Sequence, residues 1–369
     1  MRRLTILVVA VAALFGPPAA EAQEPRPFAG NRQVTVMTRN VYLGTDLAPI
    51  FGAPTPFALF AAVGAGWTQV QANDFPARAE AIADEIAAAD PDLVGLQEAM
   101  LFRTDVPADG AATPAETVAI DFVDVLVEAL AARGLEYETV AAFTGTDAEL
   151  PAGLPPALDV RLTDRVVVLA AMHRKTADLK LSNPRAGRYA AAVTLDTPVG
   201  TLPAPRGWAS VDVKIRGKRF RFVTTHLEAF SPLIRNAQAA ELLAGPVATR
   251  LPVVVVGDFN SGPGFDLAAY RILAAGDLAD MWTNGRGLTC CYATDLRSTS
   301  QPLTKRIDLV LARGGLEPVS AEVVGDELAD RTPSGLWPSD HAGVVARLRL
   351  SKTGARSCPL RARSSRCAG

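Results

Sequence analysis

Val253, Val254, Val255 and Val256 stand in an unbroken run between Pro252 and Gly257. Branched side chains at four successive positions favour an extended strand, and successive side chains of a strand face opposite ways. Both faces of this strand must therefore be covered by other apolar surface, which calls for layers on either side of its sheet.

The remaining chain supplies such layers. Residues 33–38 alternate and are rich in β-branched side chains, predicting a strand. A helix is predicted from Asn73 or Asp74 as cap, with Pro76 in its first turn and Ala79, Ile82, Ala83 and Ile86 on one face. Residues 93–96 form a short buried strand. Thr113-Pro114-Ala115-Glu116 has the form of a capping box and predicts a second helix bearing Val118, Phe122, Val125, Leu126 and Ala129, stopped at Gly134. Strands are expected at 137–142, 166–171, 211–215, 220–224, 307–311 and 344–350, and a helix from Pro232 to about Leu243. The apolar stretch 47–70 reads as a loop or short helix packed over the fold, with a lipid-facing lip as the alternative. Strands and helices interleave without a Ser/Gly-rich linker or repeat, which predicts one α/β domain over 33–350 with two face-to-face sheets.

Polar groups recur directly after the apolar runs, at Asn40, Gln97-Glu98, Thr225-His226 and Gly257-Asp258-Phe259-Asn260, while Asp308 sits inside the strand at 306–310 and Ser339-Asp340-His341 precedes the final strand. Side chains at strand ends can converge on one rim of a sheet core. Asn40, Glu98 and Asp340 offer hard oxygen ligands suited to magnesium or manganese. Asp258 can orient a water and take its proton, and Asn260 can hold a phosphoryl oxygen. His341 needs a partner to fix its tautomer, and Asp308 is a carboxylate that would be costly to bury unpaired. His226 is a second imidazole. Taken singly, Asn40, Asp258 and Asn260 are also ordinary turn residues; it is the set that supplies metal-assisted phosphoester hydrolysis.

This ordered set resembles the endonuclease/exonuclease/phosphatase superfamily over roughly residues 34–350. The resemblance implies a four-layer α/β/β/α sandwich, two packed mixed sheets flanked by helices. It implies that Asn40, Glu98 and Asp340 hold the cation, that Asp258 and Asn260 align water and phosphate, and that His341 with Asp308 is catalytic. His226 resembles the phosphate-contacting histidine of the deoxyribonuclease and sphingomyelinase branches. The segment Thr163-Asp164-Arg165 matches the family pattern only loosely; there Arg165 is the expected phosphate contact, supported by Asp164.

Composition narrows the rest. A hydrophobic fraction of 49% with 21% charged residues excludes a disordered chain, and four cysteines in 369 residues cannot be its main scaffold. The net charge of −2 excludes a global positive field for polyanions. Nucleic acid is the first expected substrate class, favoured by His226 and local basic segments such as Arg216, Lys218, Arg219 and Arg221. A phospholipase C or sphingomyelinase-like lipid hydrolase in peripheral membrane contact is the alternative, and a non-catalytic exported binding protein the third. A monomer is expected. Arg2-Arg3, the apolar run 4–15 and Ala20-Glu21-Ala22 predict a signal peptide over 1–22 and a secreted or periplasmic protein. Residues 351–369 form a basic tail. Cys358–Cys367 is the favoured disulfide, with Cys290–Cys291 the sterically awkward alternative; no histidine stands near either pair at zinc-ligand spacing in the sequence.

Overall fold

The valine run behaves as its two-sided burial requires. Val253 and Val255 face one apolar cluster with Val223, Leu309, Ala239, Leu242 and Leu273, while Val254 and Val256 face another with Val36, Val168, Val211 and Phe222. The computed structural model describes residues 33–173 and 179–350. The signal peptide, the lead-in before residue 33, the basic tail and Cys358–Cys367 lie outside the described residues.

In chain order the elements are β1 (Gln33–Asn40), α1 (Ala48–Phe51), α2 (Pro56–Ala72), α3 (Phe75–Ala89), β2 (Leu93–Gln97), β3 (Leu101–Asp105), β4 (Thr117–Asp121), α4 (Phe122–Ala132), β5 (Tyr137–Ala152) and β6 (Leu158–Ala171). They continue as β7 (Lys180–Arg188), β8 (Val193–Thr197), β9 (Gly200–Ala204), β10 (Gly207–Ile215), β11 (Lys218–His226), α5 (Pro232–Ala244), β12 (Val253–Asp258), α6 (Leu267–Ala275), β13 (Ala279–Asp280), β14 (Asp308–Arg313), β15 (Leu316–Val324) and β16 (Gly343–Leu350). One mixed sheet runs β15-β16-β1-β2-β6-β3-β4, with β5 also paired to β6. The second runs β13-β14-β12-β11-β10-β7, and β8-β9 is a separate ribbon.

Helices α2, α3 and α4 pack their apolar faces on the outer side of the first sheet, and α5 and α6 on the outer side of the second. The two inner faces meet in the middle core. The fold is thus the four-layer α/β/β/α sandwich. Gly95 of β2 sets how closely the sheets approach: an added Cβ would strike Val256 Cγ2 and lie 2.7 Å from Thr224 Oγ1 across the interface. Gln97 Nε2 donates to the same Thr224 hydroxyl at 2.9 Å, a polar tie between sheets just below the strand ends.

Two element predictions are corrected. Thr117–Asp121 is a strand against β3, and the helix begins only at Phe122, capped by the Asp121 carboxylate accepting from Val123 N and Asp124 N. Val118 is accordingly exposed. Residues 56–72 form a full helix, α2. Leu59, Val63 and Val70 are buried beneath it, and Trp67 packs against Phe102 at 5.5 Å between ring centroids. Phe57 is the one large hydrophobic side chain of this helix that stands largely in solvent, 71% exposed. The hairpin turn is tighter than the four-residue signal suggested. Only Arg216 and Gly217 turn, both with positive φ. Its cations are not all free: Arg221 pairs with Asp212 at 2.7 Å and Arg216 with Asp92 at 3.6 Å.

Candidate active site

Strand register brings the chemistry together. In the second sheet His226, Asp258 and Asp308 are cross-strand neighbours: His226 is level with Asp258 in the parallel β11–β12 pair, and Asp258 with Asp308 in the antiparallel β12–β14 pair. In the first sheet Asn40 is level with Gln97, followed by Glu98. Ser339 closes the gap between segments by donating its hydroxyl to Asn40 O at 2.8 Å and accepting from His341 N at 3.2 Å. Asn40 Nδ2 then spans the two sheets, donating to Glu98 Oε1 at 3.0 Å and Asp258 Oδ2 at 3.2 Å. Glu98 and Asn260 both adopt left-handed φ, 54° and 50°. Asparagine tolerates this conformation, but for glutamate it is uncommon and marks a constrained site.

The two imidazoles occupy opposite charge states. Burial, then the Arg206 guanidinium and His341, push His226 well below its ordinary range. Arg206 Nη1 can only donate, and it meets His226 Nδ1 at 3.0 Å, so Nδ1 accepts and Nε2 carries the proton. That proton faces Asp258 Oδ2 at 3.4 Å. Asn260 Nδ2, 3.2 Å from His226 Nε2, donates instead to Leu227 O at 3.0 Å. For His341, burial pulls downward, but Asp308, Asp340 and Asp258 together outweigh it and hold the ring well above its usual range. Its Nδ1 donates to Asp308 Oδ2 at 2.8 Å, which leaves Nε2 facing the site, 3.8 Å from Asp258 Oδ2.

The carboxylates are pushed the other way. Burial and then Asp308 raise Asp258 to about 6. Burial raises Asp340 to about 6, with Glu98 adding, and burial raises Glu98 with a contribution from Asp164. Glu98 thus adds to the negative charge around Asp340, which His341 and Arg78 offset only in part, and the Asn40 carboxamide stands beside Glu98. This donor set of hard oxygens at mutual electrostatic cost fits a divalent cation. Asp258, Asp308 and His341 also bring one ligand atom each within 4.8 Å of one another, although the Asp308–His341 hydrogen bond already occupies one side of that group.

Arg165 is a correction. Successive residues of β6 face opposite ways, so Asp164 turns toward Arg206 at 3.0 Å while Arg165 turns away. Its guanidinium clamps Asp121 at 2.5 and 3.0 Å and the carbonyls of Ala99 and Met100. The cation against the site is Arg206, which sequence reasoning missed. A signal existed: the two-residue turn at 216–217 fixes the hairpin register, which sets Trp208 opposite Thr225 and so brings residue 206 to the end of β11 at His226. Arg78 was also missed as a site residue. Fully buried, it donates to the carbonyls of Asn73, Val41 and Pro338 and thereby ties the loop after Asn40 to the segment before Asp340.

A layered α/β fold carrying paired imidazoles and clustered carboxylates at its strand ends defines a phosphoester-hydrolase type of centre. The family model for the Endonuclease/Exonuclease/phosphatase family matches residues 40–341, and the chain belongs to that family. Its members are hydrolases acting on phosphoesters and generally use a divalent metal. Among solved structures, an endonuclease/exonuclease/phosphatase from Beutenbergia cavernae DSM 12333 is similar at 24% identity and TM-score 0.53, over 87% of this chain and 72% of that one. A mannosyl-6-phosphatase from Bacteroides thetaiotaomicron VPI-5482 is similar at 16% identity and TM-score 0.50, covering 86% and 100%. D. rerio TDP2 complexed with single-strand DNA product is similar at 16% identity and TM-score 0.50, covering 86% and 99%. No curated protein matches the sequence.

Proposed function

We propose that the protein is a magnesium- or manganese-dependent phosphoesterase that hydrolyses phosphodiester or phosphomonoester bonds by in-line attack of water. The observation that carries this reading is the convergence on a single oxygen: Asp258 Oδ2 lies 3.2 Å from Asn40 Nδ2, 3.4 Å from His226 Nε2 and 3.8 Å from His341 Nε2. Asp258 takes the proton of the attacking water as the new O–P bond forms. His341, oriented by Asp308 through Nδ1, gives a proton from Nε2 to the departing ester oxygen as the P–O bond breaks. His226 and Asn260 hold the phosphoryl oxygens, and Arg206 keeps His226 neutral and correctly tautomeric. A cation held by Glu98 and Asp340, with Asn40 beside them, would neutralise charge on the phosphate.

Two substrate classes divide the proposal. A nucleic-acid diester suits the two imidazoles at one phosphate. An ester with an apolar group suits a cavity of about 110 Å³ lined by Leu47, Ile50 and Phe51 of the segment after Asn40, Trp67 of α2, Phe102 of β3 and Leu150 of β5. Export is also proposed, on the strength of Arg2-Arg3, the apolar run 4–15 and Ala20-Glu21-Ala22. The test is a magnesium-dependent screen of the purified protein against plasmid DNA, RNA, sphingomyelin, phosphatidylcholine and inositol phosphates. Turnover of one class, lost with chelator, is the expected outcome. Cation binding without hydrolysis of any of them would support a binding protein instead.

A further inference from the structure

Cys290 and Cys291 are separated from His341 by 50 residues, yet they stand against it in space. Cys291 Sγ lies 3.9 Å from His341 Nε2, the nitrogen that faces the reacting centre. The placement is set by backbone on both sides. Tyr292 N donates to Asp340 O at 2.8 Å, Ala342 N to Thr289 O at 2.8 Å, and Cys290 exchanges hydrogen bonds with Lys305 at 2.9 and 3.0 Å. Cys290 Sγ, Cys291 Sγ and one His341 nitrogen all lie within 4.8 Å of one another. The fold thus sets a histidine beside this pair although none stands near it at zinc-ligand spacing in the sequence.

In the structure Cys290 and Cys291 are joined as a disulfide; once it is reduced, two thiolates and an imidazole make a soft donor set, unlike the all-oxygen set of Glu98 and Asp340. A tetrahedral zinc with ordinary bond lengths separates sulfur and nitrogen ligands by about 3.6 Å, close to the 3.9 Å between Cys291 Sγ and His341 Nε2, while the two bonded sulfurs must part on reduction to take their own positions on the ion. Zinc-binding histidines characteristically donate their other ring N–H to a carboxylate, and Asp308 already accepts from His341 Nδ1 at 2.8 Å. Cys290 and His341 are buried, while Cys291 is only partly so and opens the group to solvent.

We propose that the reduced Cys290–Cys291 pair and His341 Nε2 form an inhibitory site for a thiophilic divalent ion, zinc, which silences hydrolysis when it binds. This rests on the phosphoesterase reading for its consequence but not for the site itself. As a disulfide, neither sulfur is a thiolate ligand. A phosphine reductant opens the disulfide: phosphorus is oxidised to the phosphine oxide with oxygen from water, and both sulfurs are reduced to thiols. Zinc then displaces the two thiol protons and the Nε2 proton of the His341 imidazolium, which leave to solvent, so that this nitrogen can no longer carry a proton to the leaving oxygen.

The experiment titrates zinc, and separately cadmium, into the phosphine-reduced and the oxidised protein with magnesium present. It follows bound metal per chain by mass spectrometry, thiolate-to-cadmium charge-transfer absorbance, and hydrolysis. Reduced protein is expected to bind one zinc, to show the cadmium band and to lose at least tenfold in turnover, while oxidised protein does none of these. Cys291→Ser should abolish the band and escape inhibition, and His341→Ala should weaken zinc binding at least tenfold. Reduced protein that binds no zinc, or Cys291→Ser inhibited like the parent, would overturn the proposal. Should the protein hydrolyse nothing, metal stoichiometry and absorbance still decide the site.

Discussion

Asp258 and the two histidines that flank it form a proton circuit whose members sit in unlike states. His226 is held neutral by burial and Arg206, and His341 is held charged by three carboxylates. Opposed environments of this kind separate acid from base within one site. Asp258, raised to about 6, is protonated at acid pH and then cannot accept a proton. The kcat/KM profile should therefore fall as pH drops through about 6; a rate unchanged down to pH 4 would count against Asp258 as acceptor. Arg206→Met should lower kcat/KM by about 10- to 100-fold while leaving the circular dichroism spectrum intact, as expected for a group that orients a reacting one. Nuclear magnetic resonance of the variant should show His226 titrating at higher pH. The individual acids and imidazoles were legible in the sequence because they stand at the apolar runs: Glu98, His226 and Asp258 end such runs, Asp308 interrupts one and Asp340-His341 precedes one. Arg206 was not, since it acts on a residue 20 positions away through a register that only the hairpin turn encodes.

Strands and helices with strong local signals formed where the sequence placed them. Asp74 caps α3 by accepting from Ala77 N, Ser231 caps α5, and the valine strand is buried throughout. The failures have physical causes. The apparent stripe Val118, Phe122, Val125 holds only from Phe122 onward, since Thr117–Asp121 is recruited by β3. In α2 the abundance of apolar residues on all sides hides the helical period. Long β5 and β6 extend well past their apolar segments because they pair with each other along nearly their whole length, with β2 and β3 on the other edge of β6. At this scale the contact between sheets is the critical dimension, because Asn40 and Glu98 stand on one sheet and Asp258 on the other. Gly95→Val should overpack that contact, costing about 1–3 kcal/mol. It should also reduce turnover by more than the stability loss explains at temperatures where the protein stays folded. Urea denaturation and initial rates on the same sample check both.

The whole molecule stabilises a cluster of like charges at the rim of two stacked sheets, and that has a measurable cost. Asp258 and Asp340 have folded values near 6, above their unfolded range, so their contribution to stability is full below about pH 4 and is lost as pH rises through 6. The depressed His226 acts oppositely, favouring the folded state as pH rises. A cation that binds the ionised carboxylates only in the folded state offsets their cost. Magnesium should thus raise Tm more at pH 8 than at pH 5, measured against chelator at each pH; equal increments would contradict a carboxylate site. The low net charge, which weighs against extended polyanion binding, leaves a single phosphate and its cation unaffected. The most direct test of the account is hydrolysis of a generic phosphodiester by the parent and by Asp258→Asn, with and without magnesium, at matched folded fraction. Turnover by the parent only with magnesium, reduced about 1,000-fold or more in the variant, is predicted for loss of the group that takes the proton of water. Near-parental turnover by Asp258→Asn would contradict it.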